Sequence, residues 1–174
     1  MRISVRRLAF GAVIGAIYAV LTMVLSPLSY GPIQLRVSEA LCVLPYFLPS
    51  SAWGLFIGCA IANLLSAAGI ADVVLGSLTT FVSALLVAAL GRHHGSKVIA
   101  CLIPVLMNAA IVGAVLSRVG TVPEAFFPAW GVCALEVGIG EALVLFGIGL
   151  PMLLFLPRAR FFSIIRAMYA RENF

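Results

Sequence analysis

The run Tyr30-Gly31-Pro32-Ile33-Gln34-Leu35-Arg36-Val37-Ser38-Glu39 sets an amide, a guanidinium, a hydroxyl and a carboxylate within positions 34–39. The rest of the chain is nearly all hydrocarbon, with 11 Lys or Arg and 6 Asp or Glu in 174 residues. Arg36 and Glu39 are spaced i, i+3 and share one face of a helix. Either they pair and neutralise each other, or they meet a polar ligand, with Gln34 and Ser38 adding hydrogen-bond capacity. Glu141 follows Gly140 with no basic residue near it in sequence. A lone carboxylate at bilayer depth stays neutral or finds a partner. That partner is a solute carrying N–H donors or an amine, or else a neighbouring helix. Glu136 is five residues earlier, about 500° around a helix and so about 140° away, and need not face the same space. Asn63, Asn108 and Asp72 fit either of two roles. They contact a ligand, or they tie helices together at about 0.6–2 kcal/mol each, and Asp72 also fits a helix cap.

Other chemistries find no support. Cys42, Cys59, Cys101 and Cys133 lie in four separate apolar segments without C-x-x-C spacing, as expected of packing thiols. His93 and His94 sit in a polar loop and read as solvated, so no metal site is expected. No phosphate-binding glycine loop, H-E-x-x-H or nucleophile elbow is present. The chain is therefore expected to be neither an ATPase nor another enzyme, and to need no cofactor. An intramembrane enzyme using Arg36, Glu39 and Glu141 as acid–base groups is the competing class, and a purely structural membrane subunit is a third.

The elements that must position these groups are membrane helices. Hydrophobic residues make up 63% of the chain and mean hydropathy is +1.19, against roughly 45–50% apolar in soluble domains. An all-α integral membrane protein follows, a single domain over 1–174. Its six transmembrane helices are expected at about 7–27, 35–48, 51–68, 71–90, 98–117 and 128–156, with a tail at 157–174. Breakers separate them at Ser26-Pro27, Gly31-Pro32, Pro49-Ser50-Ser51, Gly69, 91–96 and 120–123. The run from Leu8 to Leu25 is long and lacks a following cleavage motif, so it reads as a retained first helix.

Charge sets the orientation. Arg2, Arg6 and Arg7, then Arg92 and Lys97, then Arg158, Arg160, Arg166 and Arg171 fall on one side of a six-span bundle. The positive-inside rule makes that side, and both termini, cytoplasmic. The net charge of +5 thus reflects topology, with no nucleic-acid partner implied. Polar residues then gather in the outer half of the bundle or near its middle, as in a pocket that captures a solute from outside. An ion channel would spread them along the whole path.

Helix 1 carries small residues at four-residue spacing: Ala9, Gly11, Ala12, Gly15, Ala16 and Ala19. Such faces let helix backbones approach closely in lipid. They pack inside the bundle, with Gly54 and Gly58, or they receive an external partner helix; they run around more of the helix than internal packing requires.

The order Tyr-Gly-Pro-Ile-Gln-Leu-Arg-Val-Ser-Glu-Ala-Leu (30–41), Gly58-Cys-Ala-Ile-Ala-Asn63, Asp72-Val-Val-Leu-Gly76-Ser77, Val105-Leu-Met-Asn108-Ala and Val-Gly-Ile-Gly140-Glu141 to Gly149-Leu-Pro151 resembles the QueT family of queuosine-precursor transporters. The resemblance implies a substrate-binding S-component of an energy-coupling-factor (ECF) transporter in a bacterial cytoplasmic membrane. Its partners would be a transmembrane coupling subunit, contacted by the small-residue face of helix 1, and two ATPase subunits. Its solute would be a 7-deazaguanine, either queuine or the aminomethyl base. A carboxylate, Glu141 or Glu39, would accept from the guanine-like N–H edge, with Asn63, Asn108 and Gln34 completing the contacts. Asp72 would take an amine, and Tyr30, Tyr46, Phe47, Trp53 or Trp130 would stack on the ring at about 1–3 kcal/mol. An S-component for a different vitamin or nucleobase would share the fold and differ only in the pocket.

Overall fold

Long apolar runs broken by Gly, Pro and Ser favour backbone that satisfies its own hydrogen bonds, because hydrocarbon offers no others. The computed structural model, which describes residues 5–31, 33–120, 126–160, 162 and 165, is helical, with no strand among those residues. The expected loop at 121–123 and most of the tail at 157–174 lie outside them, as do Arg2, Arg166 and Arg171.

Helix α1 spans Val5–Val24 and is followed by a single turn, α2, at Ser26–Ser29. A 3-10 helix covers Val37–Tyr46, and α3 runs over Ser51–Asn63. A π-helical segment at Asp72–Gly76 leads into α4 (Ser77–Arg92), followed by α5 (Lys97–Gly120) and α6 (Phe126–Val144). A second π-helical segment, Leu145–Gly149, joins α6 to α7 (Leu150–Phe155). Among the described residues four helical stretches are long and apolar enough to cross a bilayer: Arg7–Val24, Asp72–Arg92, Lys97–Arg118 and Phe127–Arg158.

The expected second and third spans are shorter than the sequence implies. The segment expected as a helix at 35–48 is a 10-residue 3-10 helix. At about 2.0 Å rise per residue it reaches roughly 20 Å, against a hydrocarbon thickness of about 30 Å. It runs through the middle of the bundle, with Ser38, Glu39, Ala40 and Cys42 to Pro45 all buried. The helix expected at 51–68 stops at Asn63. There the chain turns, the Ser66 N–H donating to the Asn63 carbonyl and the Ala68 N–H to Ser66 Oγ. Gly69 then takes φ +63 in open space, which only glycine adopts without strain.

Two glycine pairs bring α1 and α3 into backbone contact. A Cβ on Gly54 would lie 1.9 Å from the Gly11 carbonyl oxygen, and one on Gly58 would lie 2.4 Å from that of Gly15. Around this seam Ile14, Tyr18, Leu55, Cys59 and Ala84 form one core. Val43, Val87, Cys101, Leu145 and Leu153 form a second around the 3-10 helix. Phe162 and Ile165 close back on Leu48.

The small-residue face of α1 is split by this packing. Gly11, Gly15 and Ala19 turn inward, whereas Ala9, Ala12 and Ala16 are exposed. Beside the exposed alanines an apolar groove of about 460 Å³ runs between α1 and α3, with Leu8, Trp53, Ile57 and Ile61 among its walls.

Candidate functional site

Each polar residue singled out in the apolar helices needs a partner, since an unmatched polar group in a dry interior costs about 1–3 kcal/mol. The bundle supplies those partners across elements. Arg36, at the mouth of the 3-10 helix, is delivered by a tight turn in which Gln34 adopts φ 46 and its carbonyl accepts from the Arg36 N–H at 2.8 Å. The Arg36 Nη2 donates to Asp72 Oδ2 at 3.3 Å, with the two side chains 6% and 0% exposed. The guanidinium lies 5.4 Å from the centre of the Tyr30 ring, within cation–π range. Tyr30 in turn donates to the Ala62 carbonyl.

Next to this ion pair, Asn63 Nδ2 donates to the Asp72 backbone carbonyl at 3.0 Å. Gly76 makes the arrangement possible: a Cβ there would come within 2.5 Å of Asp72 Oδ1 and 2.9 Å of Asn63 Nδ2. Three buried atoms of this group, Arg36 Nε, Asn63 Oδ1 and Asp72 Oδ1, have no hydrogen-bond partner. One is a donor and two are acceptors.

Glu39 sits one 3-10 turn beyond Arg36 and is 1% exposed. Its Oε1 accepts from the Tyr18 hydroxyl of α1, and its Oε2 from the Cys42 thiol at 2.8 Å. Alongside, Thr22 and Ser38 share a hydrogen bond of 2.6 Å. Across the bundle, Asn108 Nδ2 of α5 donates to Glu141 Oε1 of α6 at 2.8 Å. Glu141 is 2% exposed and within electrostatic reach of both Glu39 and Arg36. The turn and α6 meet beside it, where a Cβ on Gly140 would be 2.1 Å from the Ile33 carbonyl oxygen.

The structure buries Arg36, Glu39, Asn63, Asp72, Asn108 and Glu141 in three hydrogen-bonded sets, Arg36–Asp72–Asn63, Glu39 with Tyr18 and Cys42, and Asn108–Glu141, and Gln34 is buried as well. The Arg36–Glu39 pairing allowed by their spacing is not formed: Arg36 pairs with Asp72, and Glu39 with Tyr18 and Cys42. Nor is Asp72 a helix cap, because its carboxylate faces Arg36 and no side-chain cap precedes the segment. Trp130 stands apart. Its indole N–H donates to the Ala110 carbonyl at 2.9 Å, roughly 16 Å along α6 from Glu141 at 1.5 Å per residue.

Tyr18 was not legible as a member of this group, and Cys42, expected as an inert thiol, holds the second carboxylate oxygen of Glu39. A phenol inside an otherwise apolar first helix is the one sequence signal that pointed to Tyr18. Among the described residues no group of three His, Cys, Asp or Glu side chains is arranged to hold a metal.

Fold and site together define a multi-pass α-helical membrane protein that seals a charged hydrogen-bonding group inside an apolar bundle. Residues 8–158 match the model of a family described as QueT transporter. The chain belongs to the QueT transporter family. Over 73 residues, 41% of this chain, it is 45% identical to the queuosine precursor transporter QueT of Lactococcus lactis subsp. cremoris. That match spans 43% of the relative, less than half its length. No solved structure matches the chain.

Proposed function

We propose that the chain is a substrate-binding subunit that captures a 7-deazaguanine queuosine precursor from outside a bacterial cytoplasmic membrane and delivers it inward. The observation that carries this reading is the sealed interior group of Arg36, Glu39, Asn63, Asp72, Asn108 and Glu141 in a member of a transporter family. A guanine-type edge offers two N–H donors beside a carbonyl acceptor, and carboxylates, asparagines and arginine answer both kinds of group. The printed name of the Lactococcus relative supports the same class of solute.

In this reading the 3-10 helix and α3 act with the four long helical stretches as a six-segment bundle, with both termini cytoplasmic by the distribution of Arg and Lys. The site group then opens towards the outer half. Energy comes from an ECF module with a transmembrane coupling subunit and two ATPases, docked on the outward alanines of α1. No step needs catalysis by the chain itself.

The test is a thermal-shift or calorimetric titration of the purified chain with queuine, the aminomethyl-deazaguanine, guanine, riboflavin, thiamine and biotin. A ligand of the native state stabilises it by RT ln(1 + [L]/Kd), about 2.7 kcal/mol at a hundredfold excess over Kd. A response confined to the deazaguanines is expected. Response to another vitamin retains the fold and coupling argument and replaces the solute, and silence across the panel overturns the binding reading.

A further inference from the structure

The interior charge of this bundle does not balance, and the imbalance has the opposite sign to that of the chain. The sequence carries a formal net charge of +5. The buried charged residues among those described are Glu39, Asp72 and Glu141 against the single cation Arg36. Arg36 is committed to Asp72. Glu39 and Glu141, within electrostatic reach of each other, hold only neutral donors: a phenol, a thiol and an amide. Among the described residues Arg36 is the one cation within electrostatic reach of the pair, and it is already bound to Asp72 of the π-helical segment. Around the pair, helix α1 contributes Tyr18, the 3-10 helix Cys42, α3 Cys59 and α5 Asn108.

A buried carboxylate is strongly disfavoured unless a cation or a proton accompanies it. A second, independent feature points to a missing occupant. In the adjoining group, Arg36 Nε, Asp72 Oδ1 and Asn63 Oδ1 are sealed from solvent and hydrogen-bond to nothing.

Resting on the reading of the site given above, we infer that the site takes its ligand as a cation, with Glu39 and Glu141 as the counter-ions of an ammonium group. The bound amine supplies the positive charge that the protein withholds. Selection therefore acts on the charge of the ligand's side arm as well as on the shape of its ring. A base of the same size with a neutral arm leaves the carboxylates without their partner.

The probes are the aminomethyl-deazaguanine and its 7-cyano analogue, in which a neutral nitrile replaces the ammonium. Binding of each to the purified full chain is measured by calorimetry between about pH 5.5 and 8, well below an aliphatic amine titration near ~10. The amine is expected to bind roughly 10- to 100-fold more tightly than the nitrile, the difference between charged and neutral hydrogen-bond partners.

Glu39→Gln and Glu141→Gln are expected to shrink the amine-to-nitrile ratio. The wild-type ratio decides the matter even where a variant fails to fold. A nitrile bound as tightly as the amine overturns the cation inference and leaves the deazaguanine reading standing. If neither base binds, both fall.

Discussion

The Arg36–Asp72 pair is where a single side chain has the largest leverage on this bundle. Each partner satisfies the other in a dry setting, so removing one strands a buried charge. Arg36→Met is expected to destabilise by about 3–5 kcal/mol. Arg36→Met with Asp72→Leu should recover most of that loss, since the pair's desolvation roughly offsets its attraction. Thermal unfolding of the wild type, both single variants and the double variant closes the cycle, and an Arg36→Met protein as stable as the wild type would refute the assignment. At this scale the sequence was informative about membership and uninformative about pairing. Glu39, Asn63, Asp72, Asn108 and Glu141 stand out because polar groups are rare in apolar helices. Spacing rules report neighbours along one helix only, so they offered Glu39 to Arg36 when the partner was on the π-helical segment before α4, 36 residues away. Tyr18 stayed hidden because a phenol is as much apolar body as polar tip.

Elements were legible where a residue forbids helix and obscure where helix merely changes pitch. Pro49, Gly69 and 91–96 mark the observed breaks, and α1 and α5 begin and end within a few residues of expectation, whereas the sixth helix expected to 156 is α6 to Val144 continued by a π-helical segment and α7. Neither π-helical segment nor the 3-10 geometry of Val37–Tyr46 leaves a compositional trace, because the same apolar residues suit all three helices. The 3-10 pitch nevertheless decides the site. With three residues per turn, Glu39 and Cys42 are eclipsed, and that alignment places the Cys42 thiol on the Glu39 carboxylate. The glycine seam between α1 and α3 permits a sharper test of element packing. Gly54→Ala puts a methyl group into the backbone of α1 and should cost about 1–3 kcal/mol or more by forcing the helices apart. Gly147→Ala meets nothing within 4 Å and should be neutral or stabilising by up to ~1 kcal/mol. Paired thermal melts give the comparison; equal effects at the two positions would mean that α1 and α3 are not held in backbone contact.

At the scale of the whole molecule, the two faces of α1 divide the work. Gly11 and Gly15 pack in the internal seam, Ala9, Ala12 and Ala16 are exposed, and Ala12 and Ala16 line the apolar groove with Trp53 and Ile57. Small residues on a lipid-facing helix let a partner helix approach closely, and a bulky side chain at such a position keeps it away. The proposed docking therefore separates from ligand binding, because the exposed alanines take no part in the interior contacts around Glu39 and Glu141. Ala12→Trp is expected to leave the affinity of the purified chain for the aminomethyl base within about twofold, since the change sits on the outer surface. The same substitution should abolish uptake in cells that express the chain together with an ECF module, and should prevent co-purification with its coupling subunit. Ala110→Trp, at an exposed position on α5, serves as the control for bulk alone and should leave uptake intact. Normal uptake by the Ala12→Trp protein would move the docking surface away from α1 while leaving the binding site untouched. Loss of binding together with uptake would instead show that this face supports the fold of the site.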